Sequence, residues 1–172
     1  MNGTAYFKEP IACTEEERRG FAHLVRLGFE GSDDGLPGRI RDARWLAFYY
    51  VAGGTLAAVA ALKTPNGMYR EDVFNKATAR VSAADYEFEL GWVFVVPAHR
   101  GKRIAENLCR QLLARVPTSG VFATTRPDNV SMIRILRALD FARVGKPYPR
   151  RNEQLVLFLR SCPAFVASLP GA

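Results

Sequence analysis

The sequence contains few of the residues on which metal sites and disulfide frameworks depend. It has 3 cysteines and 2 histidines among 172 residues. Cys13, Cys109 and Cys162 are odd in number and widely spaced, unlike the dense pairs of a small disulfide-rich domain. The metal-binding patterns HExxH and CxxC do not occur, nor does an acidic calcium-binding loop. The sequence therefore predicts no metal site and, because its first residues include no apolar signal segment, a cytoplasmic protein.

No charged residue interrupts the stretch from 46 to 62, LAFYYVAGGTLAAVAAL, yet the sequence does not predict a membrane helix there. Its 17 residues lie at the lower limit of the length that spans a bilayer. Gly53 and Gly54 separate an aromatic-rich half from a half rich in Ala, Val and Leu, and paired glycines accept the positive φ of a tight turn. We therefore expect two antiparallel strands joined by this turn, and no association with a membrane.

Acidic residues are outnumbered, because 17 Asp and Glu stand against 24 Lys and Arg and leave a net charge of +7. The basic residues are spread along the chain. Such diffuse charge fits a phosphate-rich ligand or a nucleic acid, but it also fits a solvated basic surface, and composition alone leaves both interpretations open. With 48% hydrophobic residues and no internal repeat, the sequence predicts a single soluble domain covering 1–172.

Helical and strand patterns alternate along the chain. Thr14 and Glu17 match a capping box, which predicts a helix that begins at about Thr14. A short helix is expected at 39–44, and the connection after Leu62 is long enough to carry a helix of its own around Val73. Apolar spacing further predicts helices that begin near 104 and 128, and strands at 121–125, 141–144 and 154–159. This alternation indicates an α/β layered domain with a central sheet.

The stretch that begins at Tyr86 is the strongest candidate for a central strand. Apolar residues at 86, 88, 90 and 92 alternate with Glu87, Glu89, Gly91 and Val93 before the stretch becomes wholly apolar. Pro97 cannot donate to a strand ladder and should end the strand, after which the short loop AHRG leads into a helix.

A short loop between a strand and a helix can hold a phosphate, because the first N–H groups of the helix have no internal partner and the helix dipole adds partial positive charge. Here the loop and the first turn also carry Arg100, Lys102 and Arg103. A pyrophosphate could therefore bind there. The alternative is an ordinary basic turn exposed to solvent.

Two segments of the sequence resemble a known family. The segment VVPAHRGKRIAENL is similar to the acyl-coenzyme A signature of the GNAT N-acetyltransferase superfamily, with Arg100 at its first position and Ala105 at its last. Arg103 stands where that family usually has Gly. The downstream segment PDNVSMIRILRALDF resembles the family's second conserved block, with Asn129 at a helix start and Asp140 where Gly is common. The resemblance covers 86–158.

The resemblance implies a GNAT-like fold, a mixed and partly parallel central sheet flanked by helices. The motif-bearing core would be 86–159 and the C-terminal tail 160–172. It also implies acetyl-CoA as co-substrate, with the pantetheine pairing with backbone near Val95. The pyrophosphate would sit on Arg100, Gly101, Lys102, Arg103, Ile104 and Ala105. Asn129 would either contact coenzyme A or help to cap its helix, and both roles are open.

Transfer to an amine needs a base, because a primary amine with a pKa of about 10.4 is almost wholly protonated at neutral pH. Glu89 lies eleven residues before Arg100, where many family members carry a catalytic or water-positioning Glu. We expect Glu89 to be the general base, directly or through water. The alternative is that Glu87 and Glu89 form the solvated face of a half-buried strand.

The family often has a Tyr that protonates the departing thiolate seven residues after the Asn, and this sequence has Leu136 there. Tyr148, in the expected loop GKPYPRRN between the last two strands, is the nearest substitute, although it also fits a simple loop aromatic. Cys109 lies on the apolar stripe of its helix and should be a buried hydrophobe rather than an acyl carrier.

The sequence is compatible with three functions. The first is transfer of an acetyl group from acetyl-CoA to an amine acceptor of unknown identity, whose site the segment 63–77, with Tyr69, should help to wall. The second is an acyl-CoA-binding domain without catalysis, for which Leu136 and Arg103 argue. The third is a nucleic-acid module, suggested by the charge and by Arg150 and Arg151, but nucleic acid is not the expected partner. The apolar tail around 165–169 leaves a homodimer contact and simple fraying both open.

Overall fold

The computed structural model describes residues 3–28 and 35–162. The chain divides into two compact units, Met1–Thr64 with Leu90–Arg115, and Pro65–Glu89 with Val116–Ala172. In the described ranges, no helix has the length and apolar character needed to cross a membrane.

Within its described residues, the first unit contains three strands, three α-helices and most of a fourth strand. In chain order these elements are β1 (Gly3–Lys8), α1 (Glu15–Gly28), α2 (Leu36–Arg41), β2 (Trp45–Val51), β3 (Leu56–Lys63), β4 (Phe88–Val95, of which the first two residues belong to the second unit) and α4 (Ile104–Leu113).

Up to residue 162, where the described part of the chain ends, the second unit contains two α-helices and three further strands. They are α3 (Gly67–Lys76), β5 (Val121–Thr125), α5 (Val130–Ala138), β6 (Ala142–Arg150) and β7 (Glu153–Arg160).

The strands form a mixed sheet of seven in the order β1-β2-β3-β4-β5-β7-β6. Strands β1, β2 and β3 pair antiparallel within the first unit. In the second unit β4 pairs parallel with β5, with Glu89 opposite Phe122, and β7 pairs antiparallel with both β5 and β6. The predicted mixed, partly parallel sheet with helices is confirmed.

Local signals account for the first unit's early elements. The Thr14 hydroxyl accepts a hydrogen bond from the Glu17 backbone N–H at 3.1 Å, and a Glu17 carboxylate oxygen accepts one from the Thr14 N–H at 2.9 Å, which is the predicted capping box. Gly53 and Gly54 have φ of 89° and 80° between β2 and β3. The uncharged stretch is therefore the predicted hairpin, and both of its strands contribute to the buried core.

Three elements differ from the sequence-based expectation. Strand β1 was not predicted, because it is largely exposed and lacks a clear apolar alternation. Helix α2 begins at Leu36 rather than near Arg39. The segment expected as a loop, GKPYPRRN, lies mostly within β6, so Tyr148 is a strand residue and not a loop aromatic. Strand β6 is at the end of the sheet order, and an edge strand tolerates Pro147 and Pro149 because it pairs on one side only.

A close backbone approach in the second unit joins α3 to β6. Gly145 has a φ of 69°, and any Cβ there would collide with the carbonyl oxygen of Ala77, the residue that follows α3. The next residue, Lys146, donates its N–H to that same oxygen at 2.8 Å. This contact fixes the end of α3 against the strand that carries Tyr148 and Arg150.

Candidate active site

The loop after β4 joins the strand to α4 through a tight turn. Pro97–His99 forms a single 3-10 turn, Gly101 has a φ of 76°, and α4 begins at Ile104. The residue before α4 makes no side-chain capping hydrogen bond. The first amides of α4 are therefore not satisfied by a side-chain cap. The predicted pyrophosphate site requires amides of this kind.

Arg103 takes a backbone conformation that glycine adopts without strain. Its φ and ψ are 56° and 18°, in the left-handed region. For a residue with a Cβ this conformation costs about 1–2 kcal/mol. The backbone at residue 103 is therefore strained, because the residue there is Arg and not Gly.

Two basic side chains of this loop fold back onto it. Arg100 Nε donates to the carbonyl oxygen of Val95 at 3.0 Å, and its guanidinium carbon lies 5.8 Å from the centre of the Phe94 ring. Lys102 Nζ lies 3.5 Å from the Ala98 carbonyl oxygen. Pantetheine was predicted to pair with backbone near Val95, and the Val95 carbonyl contacts Arg100, the first residue of the predicted pyrophosphate site.

The last two residues of the predicted pyrophosphate site differ in exposure. Ile104 is 5% exposed, and it also lines a cavity of about 200 Å³ with residues of β1, β2 and α4. Ala105 is half-buried. Because the Ile104 side chain is buried, its contribution to anion binding would come from its backbone N–H.

Strand β4 is irregular at Trp92, whose φ is 50°. A left-handed residue inside a strand breaks the two-residue alternation of side chains, as a β-bulge does. Burial does not alternate along β4, since residues 88–90 are all buried and residues 91–96 are all half-buried. The Trp92 ring packs edge-to-face on Phe21 at 6.1 Å between ring centres.

Glu89 is buried, with 3% of its surface exposed. This burial excludes the alternative that Glu89 belongs to a solvated strand face, whereas Glu87 is exposed. The side chain of Glu89 lies against α3, where the Tyr69 hydroxyl donates to Glu89 Oε1 at 3.4 Å. A buried carboxylate with a hydroxyl partner is a common setting for a general base.

Arg150 joins this cluster through Tyr69. Arg150 Nη1 donates to the Tyr69 hydroxyl oxygen at 3.0 Å, and the guanidinium carbon lies 4.9 Å from the centre of the Tyr69 ring. Burial and then the negative charge of Glu89 raise the pKa of Tyr69. Tyr69 therefore stays protonated at neutral pH and can donate to Glu89.

Tyr148 is 2% exposed, and its hydroxyl makes no hydrogen bond of normal geometry in the described part of the chain. Burial and then the charge of Glu89 raise its pKa, while the nearby Thr124 side chain lowers it by a smaller amount. The predicted base and the predicted substitute acid thus belong to one electrostatically coupled cluster in the second unit, together with Tyr69 and Arg150.

Sequence reasoning missed the roles of two members of this cluster. Tyr69 was expected in the wall of the acceptor site, and Arg150 was noted for its charge alone. The two residues are 81 positions apart, and no local pattern links either of them to Glu89. A long-range contact of this kind leaves no signal in a single sequence.

Comparison with known proteins identifies the fold and the family. The model of the acetyltransferase (GNAT) family matches residues 12–141. The chain belongs to this GNAT family. Membership of this family supports acyltransferase activity with an acyl-coenzyme A as the donor.

Solved structures with low sequence identity share the GNAT fold. An acyl-CoA N-acyltransferase from Pseudomonas aeruginosa superposes with a TM-score of 0.69 at 14% identity, covering 93% of this chain and 100% of that one. A GNAT superfamily phosphinothricin acetyltransferase from Sinorhizobium meliloti, in complex with acetyl-CoA, gives a TM-score of 0.67 at 16% identity, covering 98% and 94%.

An uncharacterized protein of Mycobacterium leprae is 28% identical over 78 residues. The match covers 44% of this chain and spans 22% of the length of that relative.

Two departures from the GNAT motif fall on positions with left-handed backbone. Asp140, like Arg103, occupies a position where the family commonly has Gly, and its φ is 64°. The backbone therefore keeps the conformation that Gly suits even though both side chains are larger.

The other positions of the GNAT second block have structural roles. Asn129 is the N-cap of α5, and its Oδ1 accepts from the Met132 N–H at 3.1 Å. This contact supports the capping role, and a contact with coenzyme A stays a prediction. Leu136 is wholly buried.

Cys109 on α4 is fully buried, and burial raises the pKa of its thiol to about 12. A thiol of this kind is a poor nucleophile, in agreement with the expected structural role.

In residues 3–28 and 35–162, no cluster of three His, Cys, Asp or Glu side chains could hold a metal ion.

Proposed function

We propose that this GNAT protein transfers an acetyl group from acetyl-CoA to the amine of an acceptor by direct attack, with Glu89 as the general base. The observation that carries the proposal is the burial of Glu89 beside the Tyr69 hydroxyl, on the strand that leads into the acyl-coenzyme A signature. Arg100, Lys102 and Arg103, with the first amides of α4, supply the donor set that suits a pyrophosphate.

The chain's own residues have two tasks in this reaction. Glu89 accepts the proton that the acceptor amine must lose before it attacks the thioester carbon. A carbon–nitrogen bond then forms, the carbon–sulfur bond breaks, and the sulfur leaves as a thiolate. Tyr69 donates to the Glu89 carboxylate and holds it in place.

Tyr148 stays a candidate proton donor to the thiolate. Its raised pKa makes it a weak acid, and a thiol with a pKa near 8.5 can also depart without full protonation. We therefore assign Tyr148 a smaller share of catalysis than Glu89.

A second candidate function, acyl-CoA binding without catalysis, is favoured by one observation. Leu136, at the position of the usual acid, is wholly buried in the core and cannot donate a proton. Turnover measured as free thiol released with a panel of amines distinguishes the two functions.

The substitution Glu89→Gln tests the general base. It keeps the shape of the side chain but cannot accept the amine proton, so turnover should fall by about 100-fold or more with little change in affinity for acetyl-CoA. Tyr148→Phe should lower turnover by less. The measurements are thiol release for turnover and calorimetry for affinity.

Glu87→Gln is the matched control, because Glu87 is an exposed glutamate two residues away that accepts a hydrogen bond from Ser119. It should leave turnover unchanged. Equal turnover of Glu89→Gln and the unmodified protein would show that Glu89 is not the base.

A further inference from the structure

Arg150 is held in one position although it lies on an exposed edge strand. It is the last residue of β6. The Tyr69 ring supports its guanidinium face at 4.9 Å, and one of its N–H groups donates to the Tyr69 hydroxyl at 3.0 Å. Two contacts to one rigid aromatic side chain order the guanidinium before any ligand binds, which reduces the entropic cost of a further hydrogen bond.

The positive charge of Arg150 has no ion-pair partner within residues 3–28 and 35–162. No described carboxylate lies within 4.0 Å of its guanidinium nitrogens. Burial lowers its pKa, but Tyr69 and Glu89 raise it by more, so the group stays charged. A planar guanidinium presents several N–H donors, and it prefers a carboxylate that can accept two of them.

The distance between this charge and the general base limits the size of the acceptor molecule. Glu89 Oε1 and Arg150 Nη1 both contact the Tyr69 hydroxyl, at 3.4 Å and 3.0 Å. The two atoms are therefore no farther apart than the sum of those distances. A small molecule with an amine and a carboxylate on the same or the adjacent carbon can hydrogen-bond to both atoms at once.

We propose that Arg150 binds a carboxylate of the acceptor, so that the substrate class is small amino acids with a free acid group. The inference rests on the proposed function, since it assigns Glu89 to the amine of the same molecule. It makes Arg150 a specificity-determining residue, with Tyr69 as the side chain that positions it.

The test compares the common L-amino acids with their carboxamides as acceptors. The unmodified protein should show a kcat/KM at least about 10-fold higher for the best acid than for its amide, since a hydrogen bond to a charged group is lost with the amide. Arg150→Gln should lower this acid-to-amide ratio of kcat/KM by about 10-fold. Because the same acid and amide are used with each variant, the difference between their amine pKa values cancels.

Arg143→Gln is the matched control, as Arg143 is an exposed arginine on the same strand. It should keep the full preference for the acid. If Arg150 had a purely structural role, Arg150→Gln would lower transfer to acid and amide by the same factor, and this result would overturn the inference.

The outcomes separate this inference from the proposed function. An acid-to-amide ratio of kcat/KM that is the same in the unmodified protein and in Arg150→Gln overturns the inference and leaves the acetyltransferase standing. If no amine is acetylated, the proposed function fails, and thermal shifts in the presence of coenzyme A decide the inference. Stabilisation by an amino acid that is absent with its amide and absent in Arg150→Gln supports carboxylate binding, and no stabilisation by any amino acid overturns it.

Discussion

Arg103 shows how one residue departs from a family motif without changing the local backbone. Its φ of 56° is the conformation that the usual Gly would adopt freely. The side chain adds a positive charge beside the predicted pyrophosphate site, and the conformation costs stability. The two effects of this residue oppose each other and can be measured separately.

We expect the free energy of unfolding of Arg103→Gly to be about 1 kcal/mol higher than that of Arg103→Ala. Both substitutions remove the charge, but only Gly removes the left-handed strain. Urea unfolding measures the difference. Both variants should bind acetyl-CoA more weakly than the unmodified protein, which calorimetry measures. Equal stability of the Gly and Ala variants would mean that the loop relaxes around residue 103.

At the level of elements, the contact between α3 and β6 determines the geometry of the Glu89 cluster. Tyr69 lies on α3, and Tyr148 and Arg150 lie on β6. The Ala77 carbonyl oxygen, just after α3, accepts from Lys146 at 2.8 Å, beside a glycine with positive φ. A change at this contact should therefore alter both stability and the position of Tyr69.

Gly145→Ala should destabilise the protein by about 2 kcal/mol or more, because the new Cβ meets the Ala77 carbonyl and also adds left-handed strain. It should also lower turnover, since α3 carries Tyr69. Urea unfolding and thiol release are the two measurements.

The control for Gly145→Ala is Gly54→Ala. Gly54 has a φ of 80° with no atom within 4 Å of an added Cβ, so strain is the only cost there. A loss of stability at Gly145 no larger than at Gly54 would contradict the role of the close approach.

For the whole molecule, the family model over residues 12–141 points to one ligand class, an acyl-coenzyme A, and the net charge of +7 is compatible with it. A nucleic-acid module would share the charge but not the motif. Binding of the folded protein to a ligand raises its stability by mass action. Ligand-dependent stability therefore tests this class without knowledge of the acceptor.

Acetyl-CoA at 100 times its dissociation constant should stabilise the protein by about 2.7 kcal/mol, seen as a higher melting temperature. AMP at the same concentration is the control and should have a much smaller effect, because it lacks the pyrophosphate and the pantetheine. Equal shifts with both ligands would argue against binding at the loop after β4.

The parts of the fold that the sequence predicted rest on local signals. The Thr14 capping box, the Gly53–Gly54 turn and the strand that leads into Arg100 each occupy a few consecutive residues, and each is present in the structure. Strand β1 and the full length of β6 were missed, because edge strands bury little surface and show weak apolar patterns. The segment 165–169, for which a homodimer contact and simple fraying were both left open, lies outside the described residues.

By itself, the sequence determined the family, the order of most elements and the candidates Glu89 and Arg100, since these follow from the spacing of residues along the chain. Tertiary structure alone decided that Glu89 is buried and that Tyr69 and Arg150 converge on it. It also decided that residue 103 is left-handed. The convergence of Tyr69 and Arg150 on Glu89 depends on contacts between segments far apart in the chain, and such contacts impose no regular spacing on either segment.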